Sequence, residues 1–165
     1  MAKAVFLDRD GVINHDLGYV VRPADIRWTE DAAAAIGHLN AGGFKVIVVT
    51  NQAGVARGYY TAAEVEALHR WMADRLAEAG ARIDAFYYCP YHPTAGLGPY
   101  RREHPWRKPA PGMILAAIER FGLDRAQCRL IGDRSSDLQA AAAAGITGLR
   151  FSGGSLLAFV RERIG

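Results

Sequence analysis

The sequence contains little cysteine and no long apolar run. Only two of its 165 residues are cysteines, Cys89 and Cys128, and two are too few for the disulfide framework of a small secreted protein. No stretch reaches the roughly 18 apolar residues of a membrane-spanning helix, and the apolar run near the N-terminus is too short for a secretion signal. We therefore expect reduced thiols, no membrane partner and a cytoplasmic location.

An excess of charge of one sign is also lacking. Twenty Lys and Arg residues against seventeen Asp and Glu leave a net charge of only +3, and the basic residues are scattered along the chain. Without a basic run, nucleic acid is not an expected partner, whereas a small anionic metabolite fits the modest excess. No heptad pattern or long apolar helix calls for another chain, so we expect a monomer.

What the sequence does contain is a regular alternation of strand and helix patterns. Continuous apolar runs are typical of strands covered on both faces of a parallel sheet, and each is followed by a segment with helical spacing. The length suits one domain, residues 1–165. We therefore predict an α/β fold with a doubly wound, mainly parallel five-stranded sheet. The predicted strands are 3–8, 44–50, 83–88, 128–133 and 147–151, and the predicted helices are 31–41, 62–79, 111–121, 135–144 and 155–163.

Polar residues gather where the predicted strands end. Asp8 ends the first strand and Asp10 follows, Thr50 ends the second, and Asp133 ends the fourth. Ligands of such sheets bind beyond the carboxyl ends of the strands, so these side chains are expected to meet. Clustered carboxylates require a cation, and Mg²⁺ prefers oxygen ligands. With Lys108 as a further positive charge, the cluster predicts a phosphate site.

Two carboxylates so close in sequence can divide the work of phosphoryl transfer. Asp8 is placed to attack phosphorus and form an aspartyl phosphate. Asp10, which follows a turn, can then protonate the leaving group and later activate water. Each residue alone is compatible with a solvated loop or a helix cap, but four elements in this order at strand ends make that interpretation improbable.

With these elements assembled, the sequence resembles the haloacid dehalogenase (HAD)-like phosphatases. The resemblance is carried by Asp8–Gly11 (DRDG), Thr50-Asn51, Lys108 and Gly132-Asp133 with Asp137. Longer segments resemble a branch of this superfamily that hydrolyses heptose bisphosphates, to which the histidinol-phosphatases are related. These segments are 8–14 (DRDGVIN), 50–58 (TNQAGVARG), 87–93 (YYCPYHP) and 107–113 (RKPAPGM).

The resemblance implies a Rossmann-like HAD core and a role for each matching residue. Asp8 would be nucleophile and Mg²⁺ ligand, Asp10 acid/base and metal ligand through its backbone oxygen, and Asp133 the third ligand. Thr50 and Lys108 would stabilise the phosphoryl group. A small phosphorylated sugar is the implied substrate, recognised by Asp16, Gly18, Tyr19, Asn51, Gln52, Ala53, Arg107 and Arg134.

The resemblance is weakest in the loop 89–107. Many members of the family hold structural zinc there, through a Cys-x-His pair and a later Cys-x-Cys pair. This chain has Cys89 and Tyr91 at the first pair and His104 and Trp106 at the second, and His92 is the one further candidate. Structural zinc requires four ligands, so we expect none to bind. The rest of the chain leaves no room for a separate cap domain.

Three alternatives stay open. A phospho-accepting receiver domain also uses Asp, Thr and Lys at strand ends, but its acceptor ends the third strand, where this chain has Tyr88-Cys89. A scaffold protein with this fold could have lost its catalytic residues, which are all present here. Within the phosphatases, histidinol phosphate is the competing substrate, and the anomer of a heptose substrate is open.

Overall fold

The computed structural model describes all 165 residues, Met1 to Gly165, as five strands that alternate with five α-helices. The strands are β1 (Ala2–Leu7), β2 (Lys45–Asn51), β3 (Ala85–Cys89), β4 (Leu123–Gly132) and β5 (Thr147–Arg150). The helices are α1 (Ala32–Ala41), α2 (Ala62–Glu78), α3 (Gly112–Phe121), α4 (Ser135–Ala144) and α5 (Leu156–Arg163). Two short 3-10 turns cover Pro23–Asp25 and Gly98–Tyr100.

All five strands form one parallel sheet in the order β3-β2-β1-β4-β5. This confirms the predicted doubly wound α/β fold. β1 lies in the centre, with Leu7 opposite Val48 of β2 on one side and opposite Ile131 of β4 on the other. The chain changes direction across the sheet next to β1, which is where ligands of such folds bind.

Helices cover both faces of the sheet. Successive side chains of a strand point to opposite faces, so Val5 and Leu7 of β1 join a core of 21 buried residues that includes residues of α1, α2 and α5. Ala4 and Phe6 join a second core of 16 buried residues with residues of α3 and α4. Burial on both sides explains why the strands read as continuous apolar runs.

Several predicted boundaries hold to within two residues. The box that caps α2 forms as expected, because Thr61 and Glu64 each accept a hydrogen bond from the other's backbone N–H. β4 is longer than predicted, beginning at Leu123, and its register with β1 shifts between Ala2 and Ala4. These differences lie at the edge away from the polar strand ends, so they leave the candidate site unchanged.

The strands are connected by helices, 3-10 turns and loops. The β1–β2 connection contains the first 3-10 turn and α1, and the β2–β3 connection contains α2. The loop 89–107 contains the second 3-10 turn and a bridge between His92 and Arg101. None of the helices combines the length and the apolar character that crossing a membrane would require.

Candidate active site

The ends of β1, β2 and β4 form the floor of a cavity of about 320 Å³. Because β1 lies between the other two strands, Asp8 has Thr50 on one side and Asp133 on the other. Every residue predicted to catalyse or to bind substrate lines this cavity, apart from the metal-ligand candidate Asp133, which lies beside Asp8. The lining residues among them are Asp8, Asp10, Asp16, Gly18, Tyr19, Thr50, Asn51, Gln52, Ala53, Arg107, Lys108 and Arg134.

Asp8 is held by one of its two carboxylate oxygens. Its Oδ1 accepts hydrogen bonds from the Lys108 ammonium at 3.0 Å and from the Arg9 backbone N–H at 2.9 Å. No protein donor reaches Oδ2. Burial raises the pKa of Asp8 to about 7, with Lys108 opposing that shift. One oxygen is thus anchored, and the other is available to a metal ion or to phosphorus.

All three hydrogens of the Lys108 ammonium are donated to groups of the protein. Its ammonium contacts Asp8, the Val49 carbonyl oxygen at 2.9 Å and Asp137 Oδ1 at 2.6 Å. The second oxygen of Asp137 accepts the Arg134 backbone N–H at the start of α4. Asp137 is 1% exposed, so it is a buried anchor for the lysine rather than a solvated helix cap.

The environment of the Asp133 carboxylate indicates whether the site suits Mg²⁺. Its Oδ1 is buried without any hydrogen-bond partner, which is costly for a carboxylate that no cation compensates. Ligand atoms of Asp8, Asp133 and Asp137 lie within 4.8 Å of one another. Since Asp137 is occupied by Lys108, Asp8 and Asp133 are the carboxylates left for a cation. Their hard oxygen atoms suit Mg²⁺.

The Asp10 carboxylate is surrounded by donors. Oδ1 accepts from the Arg9 guanidinium at 3.0 Å and from Asn14 Nδ2 at 3.0 Å, and Oδ2 accepts from Gln52 Nε2 at 3.1 Å. Arg9 itself is wholly buried, and it also donates to the Val20 carbonyl. These contacts hold the Asp10 side chain beside the cavity in one orientation.

Asn51 fixes the backbone of Lys108. Its Oδ1 accepts the Lys108 backbone N–H at 3.0 Å, and its Nδ2 donates to the Lys108 carbonyl at 3.1 Å. Both polar groups of the amide are therefore occupied. The structure places Asn51 on the cavity wall, where it ties the segment that carries Lys108 to the end of β2.

Two arginines at the mouth of the cavity have no carboxylate partner. Arg57 has a buried Nε without a hydrogen-bond partner, and the Arg107 guanidinium donates only to the Tyr91 carbonyl. Burial, with some repulsion from Arg57, lowers the pKa of Arg107. Arg134, by contrast, is neutralised by Asp16 at 2.8 Å. The mouth thus carries two uncompensated positive charges.

Five residues of the cavity wall were not predicted to catalyse or to bind substrate, although His92 was a zinc candidate. Asp137 was part of the family motif with Gly132 and Asp133 but was given no role of its own, and its spacing of four residues from Asp133 was the available signal. Arg57 lies within the segment TNQAGVARG, yet no periodic pattern marks it. The further wall residues are Tyr60, His92 and Ser136.

The zinc candidates do not form a shared site. Asp8, Asp133 and Asp137 are the one group of three or more acidic, histidine or cysteine side chains close enough to share an ion. His92 Nδ1 instead accepts the backbone N–H of Ala95 at 2.8 Å, and His104 Nδ1 accepts that of Trp106 at 3.1 Å. Cys89 is buried in β3.

Comparison with known proteins agrees with this geometry. Residues 105–156 match the family model described as HAD-hydrolase-like. The chain is 48% identical over 96% of its length, and over 88% of the relative's, to D-glycero-beta-D-manno-heptose-1,7-bisphosphate 7-phosphatase of Rhodopseudomonas palustris. It is 47% identical to the D-glycero-alpha-D-manno-heptose-1,7-bisphosphate 7-phosphatase of Burkholderia mallei, covering 87% of this chain and 76% of that one.

A solved structure supports the same assignment. The D,D-heptose 1,7-bisphosphate phosphatase of B. bronchiseptica, complexed with magnesium and phosphate, superimposes with a TM-score of 0.81 at 34% identity, over 97% of this chain and 86% of that one. In the present chain the candidate nucleophile follows β1, and β3 ends at Cys89, which is incompatible with a receiver domain. The carboxylates of Asp8 and Asp133 suit the magnesium with which that relative is complexed, and the chain is a phosphatase that belongs to the HAD-like heptose-bisphosphate phosphatase family.

Proposed function

We propose that the protein removes the C7 phosphate of D-glycero-D-manno-heptose 1,7-bisphosphate, through an aspartyl phosphate on Asp8, in the synthesis of heptose precursors for lipopolysaccharide core or a related glycan. The observation that carries this proposal is the charge distribution of the cavity. A phosphate site lies on the floor at Asp8 and Lys108, and the two uncompensated arginines Arg57 and Arg107 lie at the mouth. A sugar with a phosphate at each end matches both.

In the first step the free oxygen of Asp8 attacks phosphorus. The bond between phosphorus and the sugar C7 oxygen breaks, and Asp10 gives a proton to that leaving oxygen. The Thr50 hydroxyl donates a hydrogen bond to the phosphoryl group, and Lys108, whose three hydrogens are already donated within the protein, stabilises its negative charge electrostatically. Anchoring of Asp8 Oδ1 by Lys108 and by the Arg9 N–H keeps Oδ2 directed at the reacting atom.

In the second step water hydrolyses the aspartyl phosphate. Asp10 accepts a proton from the water, which attacks phosphorus, and Asp8 is regenerated as inorganic phosphate leaves. Asp8, Asp133 and the Asp10 backbone oxygen would hold Mg²⁺, and that backbone oxygen accepts no hydrogen bond within the chain. The bound ion supplies charge neutralisation, which lets a phosphate dianion approach carboxylates.

The positive charges of Arg57 and Arg107 also favour one of the two candidate substrates over the other. Histidinol phosphate has one phosphate, and its other ionisable groups, an amine and an imidazole, are cationic rather than anionic, so the arginines at the mouth would repel them. A heptose bisphosphate places its second phosphate there instead. Charge-assisted hydrogen bonds of arginine to phosphate are among the stronger polar contacts in proteins. This favours the bisphosphate.

We also propose a single domain of residues 1–165 without a cap, acting as a cytoplasmic monomer. The support is that every strand belongs to one sheet and that Cys89 and Cys128 are free and buried, as expected in a reducing compartment. Loops, including 89–107, then close the mouth of the site. Light scattering checks the monomer, and cell fractionation checks the location.

The decisive experiment measures kcat/KM for the α and β anomers of heptose 1,7-bisphosphate and for histidinol phosphate, with Mg²⁺ and after chelation. We expect at least one heptose anomer to exceed histidinol phosphate by about a hundred-fold, given the energy of a charged hydrogen bond. Activity should vanish with chelator. Equal or better hydrolysis of histidinol phosphate would rule the proposal out, and the Asp8→Asn variant should be inactive.

A further inference from the structure

The side chain of Gln52 has no polar group left for a substrate. Its Nε2 donates to Asp10 Oδ2 at 3.1 Å and to Thr50 Oγ1 at 2.9 Å. Its Oε1 accepts the Tyr60 hydroxyl at 2.7 Å, and its backbone N–H donates to the Cys89 carbonyl. Gln52 is only 2% exposed. A residue so committed is poorly suited to binding the sugar, although the family resemblance implies that role.

Its neighbours determine which way the amide points. Amide oxygen and nitrogen are assigned from the hydrogen-bond network, and here the network leaves one choice. The reverse orientation would place the amide oxygen against the Asp10 carboxylate, where two acceptors would repel each other. In the observed orientation Tyr60 must be the donor, and burial raises the pKa of Tyr60 to about 12, so its proton is retained.

The Asp10 carboxylate also accepts hydrogen bonds from Arg9 and Asn14. We propose that Gln52, fixed by Tyr60, is the positioning residue that completes the orientation of the acid/base Asp10 and sets the direction of the Thr50 hydroxyl. Nothing but the Gln52 amide links these two side chains. It touches both the group that handles the leaving-group proton and the group that contacts the phosphoryl oxygens. The inference rests on the proposed role of Asp10 in the reaction, but it does not depend on which phosphate ester is the substrate.

The consequence for Thr50 is a matter of hydrogen-bond polarity. A hydroxyl has one hydrogen to donate, and the Gln52 N–H already occupies one lone pair of the Thr50 oxygen. The remaining contact of this hydroxyl, to the Asn51 carbonyl, is long at 3.4 Å. The Thr50 hydrogen is therefore available to a phosphoryl oxygen.

The test uses two substrates that differ in their need for a proton. An alkyl phosphate leaves as an alkoxide and requires the acid, whereas p-nitrophenyl phosphate leaves as a stable phenolate. For Gln52→Met we expect kcat/KM to fall at least about tenfold more on heptose bisphosphate than on p-nitrophenyl phosphate, within the range of general acid catalysis. KM for the bisphosphate should change little, because no sugar contact is lost.

Tyr60→Phe is the milder variant, since it removes a single hydroxyl, and it should show the same dependence on the leaving group with a smaller loss. Tyr87→Phe is its control: Tyr87 is buried against Trp106 outside the cavity, and both substrates should react at the wild-type rate. Thermal unfolding of each variant is measured alongside.

Two results overturn the inference. Equal losses on both substrates in the Gln52 and Tyr60 variants would indicate a merely structural role. A rise in KM for the bisphosphate with kcat unchanged would make Gln52 a sugar-binding residue after all. Failure of the proposed function is seen separately, in the wild type: heptose bisphosphate would not be hydrolysed, and the comparison would then use glycerol 2-phosphate as the alkyl ester.

Discussion

The Lys108 ammonium lies closer to Asp137, at 2.6 Å, than to the proposed nucleophile Asp8, at 3.0 Å. The lysine is therefore positioned by a residue that does not touch phosphorus. All three side chains are buried, and a buried charge is stable only when it is paired and hydrogen-bonded. Asp137 holds Lys108 in place whether or not a substrate is bound.

Replacing Asp137 should therefore impair both stability and catalysis. Asp137→Asn retains an oxygen for the Arg134 N–H but removes the charge that faces Lys108. We expect the free energy of unfolding to fall by about 1–3 kcal/mol and kcat/KM to fall by up to about a hundred-fold. Urea unfolding and steady-state kinetics measure these. Asp124→Asn is the control, because Asp124 also accepts a backbone N–H but lies far from the cavity; a similar loss there would contradict the interpretation.

Gly11 lies against the side chain of Asp133, the proposed Mg²⁺ ligand. Its φ is +91°, and a Cβ added there would collide with the Asp133 carboxylate. In Gly11→Ala the Mg²⁺ concentration for half-maximal activity should rise by about 10–100-fold, as when a metal ligand is displaced. Gly153→Ala has equal backbone strain, at φ +98°, with nothing near the added Cβ. It should lose about 1–3 kcal/mol of stability while its Mg²⁺ requirement stays unchanged.

Arg57 should discriminate between one phosphate and two. Arg57→Met keeps the aliphatic stem and removes the guanidinium, so KM for heptose 1,7-bisphosphate should rise by about 10–100-fold. For a heptose 7-phosphate without the second phosphate, KM should change little. An equal rise for both substrates would mean that Arg57 does not meet the distal phosphate. Arg75→Met, at an exposed pair with Glu78, is the surface control.

His69 should make stability depend on pH. Its ring is buried against Phe86, and it contacts the Arg9 guanidinium at 3.2 Å. Burial, and then the charge of Arg9, lower the pKa of His69 from 6.5 to about 3. The unfolded chain therefore takes up a proton below pH 6.5 that the folded chain takes up only near pH 3. The contribution of the neutral His69 ring to the free energy of unfolding is fully present above pH 6.5 and is lost as the pH falls towards 3.

The expected loss is up to about 1.4 kcal/mol per pH unit between those values. His69→Gln, which keeps an acceptor for Arg9, should show a correspondingly shallower decline of unfolding free energy from pH 6.5 to 4. Urea unfolding at several pH values measures it, with the exposed His15→Gln as control. An unchanged slope in His69→Gln would refute the assignment.

Purified protein should contain zinc well below one ion per chain. The Nδ1 atoms of His92 and His104 accept backbone N–H groups of their own loop, and these hydrogen bonds stabilise the loop in place of a tetrahedral metal site. Metal analysis by mass spectrometry and thermal unfolding with a zinc chelator check this. Stoichiometric zinc, or a chelator-induced fall in Tm, would show the prediction of a metal-free loop to be wrong.

The sequence alone was enough to predict the fold of this protein and the groups that we propose to react. Continuous apolar strands, capped helices and polar strand ends depend on local periodicity, so the parallel sheet and the positions of Asp8, Asp10, Thr50, Lys108 and Asp133 could be predicted. A parallel sheet brings all strand ends to one edge, which converts a linear pattern into a site.

Only the tertiary structure decided how those groups are held. Asp137 pairs with Lys108, Gln52 and Tyr60 orient Asp10, and Arg57 is left without a carboxylate. The first two are contacts between residues that folding brings together. The third depends on the absence of a carboxylate near the Arg57 guanidinium. Hydrogen-bond direction and charge compensation act over a few ångströms in space, and no spacing along the chain reports them.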